Sequence, residues 1–269
     1  MRFDKPRYID RFVKSPAAVT LNSGEAVSVY SISDGLTEDE KNEWARHIRA
    51  HFIKDEDVAG GAASNNITTQ EYMENLVLPS VTEHAKDVSG NFGEIVFCDF
   101  IEFILGYAVP RYKLYENPPG QPTQGIDIVA YKKHPTDKKK DCVLYAEVKA
   151  ILSKSGYVTL QKAINDIDGR KKKHFALALD TARRRLKSMG EEAESDEIAR
   201  FQDSENIPIR KLFAGLITQS ATCNSSDFLA TDDYVGVSIA AGSVIEAHVI
   251  HASVLWELAK DLWRRACSL

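Results

Sequence analysis

The chain has 269 residues, 43% hydrophobic and 27% charged, with a formal net charge of −5 at pH 7. Those proportions describe an ordinary globular protein, either one large domain or a domain with an extension, and they argue against a basic nucleic-acid coat protein. No run approaches the ~18 apolar residues of a membrane span. The opening MRFDKPRYID lacks the apolar stretch of a signal peptide, and Cys98, Cys142, Cys223 and Cys267 are scattered without a CxxC pair, so a cytoplasmic protein with reduced thiols is expected.

Residues 17–32 read as a short hairpin turning at Asn22-Ser23-Gly24. Thr37 and Glu40 form a capping box that opens a helix to about Ile53. AGGAASNN, residues 59–66, reads as a flexible break between an N-terminal extension, 1–64, and a main domain, 65–269. A helix is expected near 69–86, with Pro79 dividing it. Between Asn91 and Gly106, Phe92, Ile95, Val96, Phe100, Phe103 and Ile104 recur at the three- and four-residue steps of one helix face. Strands are expected near 107–115, 125–132 and 142–150, then a helix from about 157 that continues as a basic helix to about 188. The acidic stretch 190–197 is a loop or helix start. Residues 211–219 and 244–252 read as strands, and 253–265 as a closing amphipathic helix on which Trp256 and Trp263 share a face, either as core or as a docking surface. This order is that of an α/β core with helices covering a mixed sheet.

Two of these strands carry charge where a strand should be apolar: Asp127 in GIDIVAYKK, and Glu147 and Lys149 in DCVLYAEVKA. Buried charges are costly unless paired or bound to a metal. Side chains alternate along a strand, so Glu147 and Lys149 share one face and Asp127 shares a face with Val129 and Tyr131. If the 132–141 loop joins an antiparallel pair, Asp127 and Glu147 can be near each other. Two such carboxylates repel, and a divalent cation relieves the cost; hard oxygen ligands suit Mg²⁺ or Mn²⁺. Lys149 could orient a water or steady the charge of a phosphate. The bland alternative is a structural Glu–Lys pair on an exposed edge strand. Asn91 and Glu94 have capping-box spacing, a role compatible with a further acidic contribution from Glu94.

Gly125-Ile126-Asp127 followed by Glu147-Val148-Lys149 resembles the PD-(D/E)xK nuclease motif, with Ile126 where the motif's proline would stand. The resemblance implies a restriction-endonuclease-like core with a mixed sheet flanked by helices. It also implies catalytic roles for Asp127, Glu147 and Lys149, with metal ligation by Asp127 and Glu147. The preceding helix often supplies another acidic residue, for which Glu94 stands in the matching place, and Gln161 is a candidate polar residue on the following helix. From about residue 65 to the end, the chain resembles the HamA family, the nuclease subunit of the Hachiman anti-phage defence system. That resemblance implies a metal-dependent DNase restrained by a helicase subunit.

The lysines Lys138, Lys139 and Lys140, at the tip between the two strands, are candidates for phosphate contact, although a charge run is more often a solvated face. The seven histidines show no HxH or HExxH spacing, and GxxxxGK[ST] and GxSxG are missing, so neither a zinc enzyme, a nucleotide cofactor nor a serine hydrolase is expected. Two alternatives stay open: a stand-alone restriction or repair endonuclease, which would cut at defined sites, and a catalytically silent nuclease fold that binds DNA or regulates.

Overall fold

A seven-stranded mixed sheet lies at the centre of the computed structural model, which describes residues 3–16, 19–21, 23–111, 114, 125–153, 158–203, 207–220 and 237–269. Its strands are β1 (Phe12–Lys14), β2 (Val19–Thr20), β3 (Ala26–Ile32), β4 (Ile128–Lys132), β5 (Cys142–Ile151), β6 (Ile209–Gln219) and β7 (Ile245–Ala252). The order is β1-β3-β7-β6-β5-β4, with β2 paired to β3. Strands β3, β7, β6 and β5 run parallel, while β1 and β4 pair antiparallel at the two edges. The helices are α1 (Glu38–Ala50), α2 (Asp55–Asn65), α3 (Thr69–Tyr72), α4 (Ala85–Asp99), α5 (Val158–Asp168), α6 (Lys172–Ser188), α7 (Glu192–Ala199) and α8 (Leu255–Ser268). The expected α/β architecture, a mixed sheet flanked by helices, is therefore present.

Period-two alternation divides the core into two layers. Leu144, Ala146 and Val148 of β5 pack with Trp44 and Ile48 of α1, Phe92 and Val96 of α4, and Leu262 and Trp263 of α8. Val143 and Tyr145 face the other way, toward Leu160 and Ile164 of α5 and Phe175 and Leu179 of α6. Glu147 and Lys149 continue this second, odd-numbered set. Helix α4 reaches the sheet unusually closely because Gly93 lacks a side chain: a Cβ there would stand 2.5 Å from the Cβ of Ala150. Trp263 is buried within the first layer and Trp256 packs partly buried against it.

Several local expectations hold and others are corrected. The Thr37–Glu40 capping box opens α1, and β2 and β3 form the expected hairpin, of which Asn22 lies outside the described residues. Leu78 is extended ahead of Pro79, so α3 and its π turn, Met73–Val77, end there. The AGGAASNN stretch is not a break but most of α2, which ends at Asn66 in the left-handed conformation, φ 55°. Gly61 is there for space: a Cβ would come within 2.3 Å of the Tyr72 ring. Of the expected strand at 107–115, the described residues form only an isolated bridge between Ala108 and Tyr131, and most of 112–115 lies outside them. The strands before residue 64 share one sheet with those after it, because β3 pairs with β7 from Val27↔Ala247 to Ser31↔His251.

Candidate active site

Strand β4 is shorter than β5, and the site forms where it stops. The antiparallel register pairs Lys132 with Cys142 and Ile128 with Ala146, which places Asp127 opposite Glu147. Beyond that point β5 continues to Ile151 along β6. The freed backbone N–H of Val148 donates to Asp127 Oδ2 at 3.0 Å. The carboxylate thus stands in for the missing strand and is fixed beside Glu147. Gly125, at φ 108°, makes the turn into this segment in a conformation that suits glycine.

Glu147 is only 2% exposed. Burial and the neighbouring Asp127 raise its pKa to about 7, against the lowering effect of Arg170. Arg170, between α5 and α6, donates from Nε at 2.9 Å and also from Nη2 to Glu147 Oε1, and its Nη2 donates to the Gly125 carbonyl at 3.0 Å. Lys149 Nζ lies 3.8 Å from Glu147 Oε2 and 2.8 Å from Asp166 Oδ2 on α5. Burial works against the Lys149 charge, but the hydrogen bond it donates to Asp166 and the charge of Asp127 outweigh it and raise the pKa. At neutral pH Lys149 is therefore an ammonium, suited to electrostatic work and not to proton abstraction. Glu94 of α4 lines the same small pocket as Asp127.

A second polar cluster borders that pocket. His47 of α1, His51 just past its end and Asp99 of α4 bring potential ligand atoms within 4.8 Å of one another, a candidate metal-binding triad. His47 Nε2 is 3.0 Å from both Asp99 oxygens, and Tyr8 Oη donates to Asp99 Oδ2. Arg111 reaches into the same space: its Nη2 lies 2.7 Å from Asp99 Oδ1 and its Nη1 3.3 Å from His51 Nε2, and it also donates to Glu102. Burial, Arg111 and His47 all push the His51 pKa down. The Arg111 guanidinium already neutralises Asp99 in this cluster, as the Arg170 guanidinium does Glu147 in the other.

A family model described as HamA matches residues 6–240. The chain belongs to the HamA family. Membership indicates a subunit of the Hachiman anti-phage defence system. The matched span begins near the N-terminus, well before the stretch from residue 65 on which the sequence resemblance rests, and it takes in β1 to β3 and α1. It ends before β7 and α8. No curated protein matches the chain. Among the described residues no helix is long and apolar enough to cross a membrane.

Of the residues singled out in the sequence, Asp127, Glu147 and Lys149 lie together, and Glu94 shares a pocket with Asp127. Gln161 does not join them by any contact: its amide donates to the Ser238 carbonyl at 3.0 Å and to Asn165 at 2.8 Å, and accepts from Ser238 N at 2.7 Å, so it ties α5 to the chain at 238. Lys138, Lys139 and Lys140 form an exposed 3-10 turn at the far end of the β4–β5 hairpin. Five strand steps lead from Cys142 to Glu147, or about 17 Å. Arg170 and Asp166 are the partners that sequence reasoning missed. Arg170 belongs to a basic run ordinarily read as a solvated face, and Asp166 to a helix of mixed polarity; only the crossing of α5 over β5 identifies them.

Proposed function

We propose that this HamA-family chain is a divalent-cation-dependent DNA nuclease, the effector of a Hachiman defence complex restrained by a helicase subunit. The observation that carries this reading is the side-by-side placement of Asp127 and buried Glu147, with Lys149 held protonated beside them. Two adjacent carboxylates, Glu147 buried and Asp127 half-buried, are a donor set of hard oxygens, which fits Mg²⁺ or Mn²⁺. Asp127 and Glu147 would hold the ion, and Glu94 lines a pocket with Asp127. When bound, a divalent cation supplies a water of lowered pKa and a positive charge against the phosphodiester. Asp166 keeps the Lys149 ammonium in place, where it can orient that water or meet charge developing on the phosphate. Family membership supports the proposed helicase partner, and the carboxylate–lysine chemistry supports a phosphodiester substrate.

Plasmid cleavage by the purified chain tests this directly, with Mg²⁺ or EDTA, beside Glu147→Ala and Lys149→Ala and with and without the neighbouring helicase. Cation-dependent cleavage lost in both variants supports the site. Equal cleavage by variants and wild type overturns it, and no cleavage under any condition, helicase and damaged DNA included, favours the silent-fold alternative.

A further inference from the structure

We propose that Arg170 is a resident counter-charge that competes with the divalent cation for Glu147 and so sets how tightly this site binds metal. The inference rests on the nuclease reading and deepens it. Glu147 is almost wholly withdrawn from water, so its charge requires a positive partner when no metal is bound. Arg170 supplies that partner, with two of its nitrogens on the same oxygen, Oε1. A cation ligated by that oxygen would have to displace at least one of these donors, because the lone pairs and the space are shared.

The geometry also allows the displacement. The Arg170 side chain keeps 27% of its surface exposed and lies at the junction of α5 and α6, so it can rotate outward without leaving a hole in the core. Its third tie, to the Gly125 carbonyl, holds the turn that delivers Asp127. One guanidinium therefore restrains both carboxyl-bearing segments. Lys149 cannot take this role: its ammonium is 3.8 Å from Glu147 and is already engaged by Asp166 at 2.8 Å. The two cations beside the pair thus have separate duties, Lys149 fixed and Arg170 exchangeable.

The test is Mn²⁺ binding, followed by the electron paramagnetic resonance signal of the free ion at pH 8.0, on the full chain and on Arg170→Ala, Arg170→Gln, Arg170→Lys and Glu147→Gln. Removal of the competing charge in Arg170→Ala and Arg170→Gln is expected to tighten Mn²⁺ binding about tenfold or more, the scale of one charge-assisted hydrogen bond. Arg170→Lys, which keeps a charge but loses the fork, should tighten it less. Glu147→Gln should lose the site. Arg170→Gln retains length and hydrogen bonding, so it carries the test should the alanine variant not fold. Unchanged or weaker binding in a folded Arg170→Gln protein would overturn the competition while leaving the nuclease site standing. Equal Mn²⁺ binding by wild type and Glu147→Gln would remove the metal site itself and this inference with it.

Discussion

A proton and a cation should compete at Glu147, and the size of that competition follows from its surroundings. Burial and Asp127 raise its pKa to about 7. A carboxylate must be ionised to bind metal, so the apparent affinity is reduced by the protonated fraction. At pH 8 roughly a tenth of the sites are protonated, and at pH 6 roughly nine-tenths, so Mn²⁺ or Mg²⁺ affinity should fall about tenfold between them and about tenfold per unit below. The stability sign is the reverse of the usual carboxylate case. The folded pKa lies above the ordinary value, so without cation this group favours the fold at low pH and costs about 3 kcal/mol as pH rises from about 4.5 through about 7. Divalent cation should therefore raise the melting temperature at pH 8 much more than at pH 5.5. Calorimetric binding at pH 8, 7 and 6, with melting curves in EDTA and in Mg²⁺, measures both effects. A flat affinity profile from pH 8 to 6 would refute the idea of a proton shared within the pair.

Other consequences concern the supports of the site. Gly93→Ala places a Cβ 2.5 Å from Ala150 where about 3.8 Å is needed, so α4 must retreat by about 1 Å; urea unfolding should show a loss of about 1–3 kcal/mol, and cleavage should drop because Glu94 moves with the helix. A variant as stable and as active as wild type would contradict that close approach. Arg111→Met leaves Asp99 buried without its guanidinium and should cost about 3–5 kcal/mol in the same experiment, part of it recovered by adding Asp99→Asn. The triple variant Lys138→Ala, Lys139→Ala, Lys140→Ala should leave the cleavage rate at saturating DNA unchanged, since the turn is about 17 Å away, while lowering the salt dependence of DNA binding by up to about three charges. An unchanged salt slope would mean that the tip does not meet phosphate.

The parts of the site that were legible in the sequence are those governed by strand alternation. The antiparallel pair that the sequence reading takes as its condition is present, and its register puts Asp127 opposite Glu147. The apolar face of α4 and the turn after it was legible from helical periodicity, as Phe92, Ile95, Val96 and Phe100 are all buried, while Phe103 and Ile104 are half-buried. Glycine misled at residues 59–66, where it was read as a breaker. Gly61 instead admits the Tyr72 ring, a tertiary reason that no local rule contains. Arg170, Asp166 and the His47–Asp99–Arg111 cluster were illegible because each partner comes from a different element. Their pairing depends on which helices cross which strands, and a charged residue on a helix reads alone as solvated.

The fold also shows why the site depends on residues far ahead of it. Its carboxyl groups gather along the C-terminal half of β5, where the parallel strands β5, β6 and β7 end and an α/β sheet ordinarily offers a crevice. Glu94 enters from α4, and five residues along the same helix Asp99 is bound to Tyr8, His47 and Arg111. The helix that presents Glu94 is thus fastened by the first fifty residues of the chain. Those residues also give β3 to the sheet and Trp44 and Ile48 to its core. Each such buried side chain contributes about 1.5–3 kcal/mol against a total stability of about 5–15 kcal/mol, so residues 65–269 alone should not fold. Circular dichroism and cation binding on that fragment decide the matter. A cooperatively melting fragment that still binds Mn²⁺ would show that the N-terminal part is a separable extension; a soluble but unstructured fragment, rescued by co-expressing residues 1–64, would show that it completes the nuclease domain.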